Sequence, residues 1–277
     1  MRVATIQMVS GTSVTANLAR ADVLLRQAAD GGAELAVLPE YFCLLGQRDT
    51  DKLEIQERFG AGPIQDFLRD TARRWGLWIA AGTLPLSLAA DAAPSDRSRV
   101  FNSLLVYSPQ GECAARYDKI HLFRYDNGSE RYDESRVLQR GQSPIVLPLD
   151  SRDGHRWNIG LSVCYDLRFA ELYRGYSAGG VDLLLVPSAF TYTTGSAHWE
   201  LLLRARAVEN LSYVVAPAQG GLHENGRRTW GHSMLIGPWG EVLAVRPQGE
   251  GVDVVELDAS VVLQARRQLP ALEHRVL

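Results

Sequence analysis

The stretch "GGAELAVLPE" at residues 31–40 returns as "GGVDLLLVPS" at residues 179–188. Each copy has two glycines, an acidic residue, an apolar run and then proline. Self-similarity of this kind marks a chain assembled from two like units. The apolar runs, Leu35–Leu38 and Leu183–Val186, are short and unbroken, as in strands buried on both faces. A glycine pair suits the end of a helix, where a residue without a Cβ takes the closing turn. Each copy therefore reads as the end of a helix followed by a buried strand.

A second match, "NSLLVYSPQGE" (102–112) with "HSMLIGPWGE" (232–241), closes each unit. Between these marks lie a helix at Pro63–Trp75 and a helix-like "HWELLLRARAVEN" (198–210). In the first of these, Ile64, Phe67, Leu68, Thr71 and Trp75 form one apolar-leaning stripe at helical spacing. The apolar runs "LWIAAG" (77–82) and "SYVVAPA" (212–218) follow. Upstream, Arg2–Met8 and Trp157–Val163 read as strands, and Thr15–Asp30 and Phe169–Ser177 as helices. Each half thus runs strand, helix, strand, helix, strand, strand. That order predicts an α/β protein: two sheets facing each other, helices outside, related by pseudo-two-fold symmetry. Only a polar break at Leu149–His155 divides the halves, so residues 1–277 read as one domain.

The 277 residues are 46% hydrophobic and 22% charged, with a net charge of −3, which is ordinary for a globular core. This balance gives no reason to expect nucleic acid or an anionic membrane as partner. Cys43, Cys113 and Cys164 lie far apart, without CxxC or zinc spacing, so neither a disulfide framework nor a metal site is expected. The start, "MRVATIQMVS", reads as a strand rather than a signal peptide, and no apolar run is long enough to span a bilayer. A cytoplasmic protein is expected.

Three reactive side chains stand at the ends of apolar runs: Glu40 in "LAVLPE", Lys119 in "ARYDKIHLF", and Cys164 in "NIGLSVC". In sheet proteins such ends are where reacting groups converge. The repeat puts Glu40 and Cys164 in opposite halves, able to meet across the pseudo-axis. A thiol with a pKa of about 8.5 is mostly protonated at neutral pH and needs a base or a cation. Glu40 serves as that base if burial raises its pKa. Lys119 would stabilise a thiolate and the oxyanion formed on attack at a carbonyl, with the Tyr165 N–H as second donor. Acyl transfer through a thioester follows.

None of the six histidines has a spacing that nominates it for a Cys–His pair. His155 and His274 read as surface residues, and His121 and His232 as structural residues flanking apolar runs. His198 falls at a helix start and His223 in a glycine-rich turn. Arg168 has two readings: a fork for a substrate carboxylate, or an ion pair with Asp166 or Glu171. Phe190, Thr191 and Thr194 follow the second copy's strand and are expected to line a pocket. Glu200 either touches the site or completes the first turn of a helix. Cys43 and Cys113 read as structural, with pocket lining open to Cys43. Residues 88–99 read as a surface loop, and 124–135 as a loop bearing function.

"LPEYF" (38–42), "YDKIHLF" (117–123) and "SVCYDLRFAELYR" (162–174) together resemble the nitrilase, or carbon–nitrogen hydrolase, superfamily, and the likeness spans almost the whole chain. The resemblance implies a four-layer αββα sandwich of two similar halves. It places the family's catalytic residues on Glu40, Lys119 and Cys164, and a supporting glutamate on Glu134. Residues 187–210 and 230–242 resemble the Nit branch, although "RYDNGSERYDES" (124–135) departs from its Asp-Val-Pro-type pattern. That branch implies a cofactor-free amidase taking a small carboxylated linear amide, such as deaminated glutathione or an α-keto acid monoamide, to acid and ammonia. It also implies a homodimer or larger homo-oligomer. An N-carbamoyl amino acid hydrolase would use the same triad. The non-enzyme alternative is a thiol redox sensor or scaffold.

Overall fold

The first repeat copy forms a strand at Leu35–Val37 and the second at Leu183–Leu185, both wholly buried in a computed structural model that describes residues 1–88 and 99–276. In chain order the first half contains β1 (Arg2–Gln7), α1 (Val14–Asp30), β2 (Leu35–Val37), α2 (Asp51–Glu54), α3 (Pro63–Trp75) and β3 (Trp78–Ala80). There follow β4 (Leu84–Ser87), β5 (Val100–Tyr107), β6 (Cys113–Asp118), β7 (Arg124–Asp126), β8 (Arg131–Asp133) and β9 (Leu138–Gln139). The second half contains β10 (Ile145–Asp150), β11 (Arg156–Leu161), α4 (Ala170–Ala178), β12 (Leu183–Leu185), α5 (Tyr192–Asn210) and β13 (Tyr213–Ala216). It ends with β14 (Ser233–Ile236), β15 (Val242–Arg246), β16 (Gly251–Glu256) and α6 (Ala259–Gln268). Most of the surface loop expected at 88–99 lies outside the described residues.

The two large sheets share one plan. One runs β16-β1-β2-β3-β5-β4, with β6 and β9 also on β5, and the other runs β10-β11-β12-β13-β14-β15. In each, three parallel strands form the centre, with Val3, Leu35 and Trp78 in register in one and Ile159, Leu183 and Tyr213 in the other. An antiparallel strand flanks them: β16 on β1, and β10 on β11. The first half borrows its flanking strand from the far end of the chain. The polar break at Leu149–His155 is therefore not the boundary between the halves. It is the β10–β11 hairpin turn, closed by Ser151 N–H to His155 O at 3.0 Å.

Side-chain alternation explains the layers. Leu35 and Val37 point into one large cluster shared with Leu183, Leu185 and Val215 of the opposite sheet. Ala36 between them joins Leu24 and Leu25 of α1 and Leu68 of α3. On the far side, Tyr173 and Tyr176 of α4 and Trp199 and Leu203 of α5 cover the second sheet. The order is helices, sheet, sheet, helices: an αββα sandwich.

Local chemistry sets the element ends. Ser13 caps α1 by accepting from Ala16 N–H at 3.3 Å, and Pro63 occupies the first turn of α3. Gly76 closes α3 at φ +62°, a left-handed conformation that suits glycine. Helix α5 begins at Tyr192, six residues before His198. Its Thr191 cap accepts from Thr194 N–H at 3.3 Å, in a polar segment whose helical period is hard to see. Glu200 consequently lies beyond the first turn, exposed and 3.4 Å from Arg204, and has no part in a cap or in the site. Residues 124–133 form the β7–β8 hairpin rather than an open loop. Asn127 Oδ1 accepts from the N–H groups of Ser129 and Glu130, and Gly128 takes φ +89°.

Candidate active site

Glu40 stands just past β2, where Leu38 N–H still bonds Ala80 O at 2.9 Å and the chain then turns at Pro39. Gly82 makes that turn possible, because a Cβ there would lie 2.0 Å from Pro39 O. The Glu40 side chain is 1% exposed. Its Oε1 accepts from Lys119 Nζ at 3.0 Å and Asn102 Nδ2 at 2.9 Å, and its Oε2 accepts from Ala189 N–H at 3.0 Å. Lys119, at the end of β6, is as deeply buried and also donates to both oxygens of Glu134, at 2.9 and 2.8 Å. Glu134 further accepts from Tyr41 OH at 2.9 Å and Phe123 N–H at 2.7 Å. The lysine is thus clasped between two carboxylates from different segments.

Cys164 follows β11 and opens a short 3-10 turn, Cys164–Arg168. Its backbone is left-handed, φ +49°, a strained conformation for a non-glycine residue. Cys164 N–H to Pro187 O, 3.0 Å, and Val163 N–H to Asp166 Oδ2, 2.9 Å, hold it there. The thiol lines the same cavity as Glu40 and Ala189, within electrostatic reach of the Glu40 carboxylate and Lys119. Tyr165 N–H, next in the turn, has no acceptor among the described residues. Glu40, Lys119 and Glu134 therefore form one continuous buried chain of hydrogen bonds, with Cys164 opening into the same cavity as the two carboxylates.

Burial pushes the Glu40 carboxyl up, and the Lys119 ammonium only partly offsets this. Burial acts on Glu134 too, but there Lys119 prevails and holds it below the ordinary carboxylate value. Lys119 itself is desolvated, yet the charges of Glu134 and Glu40 keep its pKa well above the usual lysine value. Burial and the adjacent Glu40 charge hold the Cys164 thiol well above its usual pKa, against the pull of Lys119. A thiolate is therefore disfavoured unless a neighbouring base takes the proton, the part expected of Glu40.

Cys164 sits where two cavities meet. The larger is lined by Glu40, Glu134, Tyr41 and Lys52 among others, the smaller by Arg168, Phe190, Thr191 and Thr194. Neither Asp166 nor Glu171 pairs with Arg168. Its guanidinium lies 3.3 Å from His198 Nδ1 and over the rings of Tyr165 and Phe190, at 5.7 and 5.6 Å. Phe190 packs on Trp199 at 4.8 Å, and Thr191 and Thr194 join hydroxyls at 2.8 Å while lining the cavity. Cys43 is structural: its buried thiol is pushed up to about 12 by desolvation and points at Thr83 O, 3.7 Å away. Cys113 is exposed on β6. His155, expected at the surface, is half-buried edge-on to Trp157 at 5.1 Å. Among the described residues no group of side chains is arranged to hold a metal ion, and no helix is long and apolar enough to cross a membrane.

The profile of carbon-nitrogen hydrolases matches residues 2–267. The chain belongs to the carbon-nitrogen hydrolase family. It is 42% identical to a deaminated glutathione amidase of Synechocystis, over 99% of this chain and 97% of the relative. It is 34% identical to Omega-amidase NIT2 of Danio rerio, over 99% and 94%. Among solved structures it resembles Saccharomyces cerevisiae Nit3, a member of branch 10 of the nitrilase superfamily, with a TM-score of 0.85 and 26% identity over 100% and 97% of the two chains. The protein is an amidase of this family.

Sequence reasoning passed over three groups in the hydrolase site. Asn102 is a buried polar residue inside the apolar strand β5, a signal in its own right. The Ala189 N–H has no side-chain signature at all. Asp166, fully buried, accepts from Tyr117 OH at 2.7 Å and from His121 N–H and ring Nδ1 at 2.9 and 2.7 Å. Tyr117 and His121 flank Lys119, so Asp166 braces the nucleophile turn against the lysine segment. Misplacement of reacting groups by about 1 Å costs about 100-fold in rate. Asp166→Asn is therefore expected to lower kcat 10- to 100-fold with KM within twofold, measured by steady-state amide hydrolysis. An unchanged kcat would show that the brace is dispensable.

Proposed function

We propose that this hydrolase cleaves a small carboxylated linear amide of the deaminated-glutathione type through a thioester on Cys164. The buried hydrogen-bonded chain Glu40–Lys119–Glu134, in the cavity that the Cys164 thiol also lines, carries this reading. Glu40 takes the thiol proton as sulfur attacks the carbonyl carbon, and its raised pKa suits a base that must later release that proton. Lys119 and the unengaged Tyr165 N–H stabilise the oxyanion. The C–N bond breaks as Glu40 passes the proton to the leaving nitrogen. Water then attacks the thioester, Glu40 takes a proton from it, and the thiol is regenerated as the acid departs. Glu134 keeps Lys119 charged and fixed. Arg168, free of any carboxylate partner among the described residues, receives the acyl-side carboxylate in the cavity lined by Phe190, Thr191 and Thr194.

An omega-amidase reading is supported by the likeness to the Danio rerio relative. The products separate the two. An α-keto acid monoamide releases ammonia, whereas deaminated glutathione carries cysteinylglycine on its amide nitrogen and releases that amine. The reading takes residues 1–277 as one such domain. Three free thiols support a reducing compartment such as the cytoplasm. Exposed Leu201 and Val208 on α5 and Trp239 after β14 support a homo-oligomer.

The test is product formation from deaminated glutathione, α-ketoglutaramate and N-carbamoyl-β-alanine. Deaminated glutathione is expected to show a kcat/KM at least tenfold above the other two. Failure on all three would sink the proposal.

A further inference from the structure

The larger cavity is lined by cations and carboxylates that are not all paired by contact. Of the acids facing it, Asp49 is held by Arg227 at 2.7 Å, Glu40 and Glu134 by Lys119, and Asp133 accepts from the Ser135 N–H at 3.2 Å. Lys52 and Arg228 remain. Lys52 Nζ lies 4.6 Å from the Tyr41 ring, and the Arg228 guanidinium is stacked 3.7 Å over Tyr192. Among the described residues neither has a carboxylate within ion-pairing distance. Both line the cavity that Cys164 opens into.

The direction of the chemistry says which part of a substrate meets them. The leaving nitrogen must face Glu40 to take its proton. Glu40 lines only the larger of the two cavities at Cys164, while Arg168 lines only the smaller. The acyl portion therefore extends toward Arg168, and whatever the nitrogen carries extends toward Lys52 and Arg228.

We infer that Lys52 and Arg228 form an anion subsite for the amine side of the substrate, which makes the preferred substrate an N-substituted amide whose amine portion ends in a carboxylate. This rests on the reading of Glu40 as proton donor to the leaving nitrogen. The Tyr192 ring holds the planar guanidinium, so its donors are oriented before a carboxylate arrives. Lys52, beside the Tyr41 ring, supplies a second point charge. An amino acid or dipeptide amine fits both requirements. The subsite sets selectivity and takes no part in bond breaking.

Three amides sharing one acyl group test it: α-ketoglutaramate, deaminated glutathione, and deaminated glutathione with its terminal carboxylate converted to carboxamide. The readout is the ratio of kcat/KM for the carboxylate over the carboxamide. In the parent enzyme it is expected to exceed tenfold. It should fall below threefold in Arg228→Gln and in Lys52→Gln, and stay above threefold in Arg228→Lys, which keeps the charge. α-Ketoglutaramate, lacking the amine portion, reports the triad in each variant. A ratio near one in the parent, or one that survives both glutamine variants, would overturn the subsite while leaving the catalytic reading intact. No turnover of any of the three amides would overturn the catalytic reading and the subsite with it.

Discussion

Cys164→Ala is expected to fold like the parent and to lose about 1,000-fold or more in kcat/KM, the scale on which enzymes respond to losing a covalent nucleophile. The case for intact folding is geometric. Cys164 sits at φ +49°, and alanine, which also carries a Cβ, meets the same backbone strain there, so the exchange adds none. The bonds that shape the turn run through backbone N–H groups and Asp166, none of which the substitution removes. Burial and the Glu40 charge both disfavour a thiolate here, and the Glu40–Lys119 pair remains bonded when the sulfur is removed. The thermal midpoint should stay within a few degrees, about what loss of roughly 1 kcal/mol produces in a chain of this size. Amide hydrolysis and a thermal melt measure both halves of the expectation. Activity at parental level would leave the thiol with a redox or scaffolding role. In the parent, kcat/KM should fall toward acid pH as Glu40 takes up its proton, with a midpoint above 4.5 because its pKa is raised.

The features legible in the sequence were those with a local cause. The repeated glycine pair and apolar run marked β2 and β12, and the helical stripe marked α3 from end to end, because burial on a regular element leaves a period in the chain. Glu40 and Cys164 were legible because each interrupts such a run at its end. What escaped depends on distance or on backbone. Nothing near Gly251–Glu256 announces that this strand pairs with Arg2–Gln7, and the register is fixed only when the sandwich closes. Helix α5 was read six residues short because Thr191, Gly195 and their neighbours are poor helix formers. Gly195 is there because a Cβ would stand 2.2 Å from the Cβ of Trp230, a contact between segments far apart in sequence. The Ala189 N–H that holds Glu40 belongs to the backbone, so no residue type could reveal it.

Lys119→Met should remove activity and also destabilise the fold by about 3–5 kcal/mol near neutral pH, the usual cost of stripping one partner from a buried ion pair. The lysine is the only cation bonded to both Glu40 and Glu134 among the described residues, and its side chain and that of Glu40 are 1% exposed. Methionine fills most of the volume, so the loss is chiefly electrostatic. The sign with pH separates charge from packing. In the parent, Glu134 has a depressed pKa, so its contribution is present above 4.5 and fades as pH falls through the folded value. In the variant two buried carboxylates face each other with no bonded cation, Lys52 acting only without direct contact, and burial and mutual repulsion are expected to raise their folded pKa values above 4.5. The native state then holds protons that the unfolded chain has released, and stability falls as pH rises through that window. The gap between parent and variant should therefore be of order 10 °C at pH 7 and narrow steadily toward pH 4.5 in thermal melts. Adding Glu134→Gln to the variant removes one of the two opposed charges. It should recover part of the lost stability at pH 7 and none of the activity, a coupling that a double-mutant cycle measures directly. A gap independent of pH, or a double variant no more stable than the single, would mean that Lys119 holds the site by packing and that the charge clasp between Glu40 and Glu134 is not what organises it.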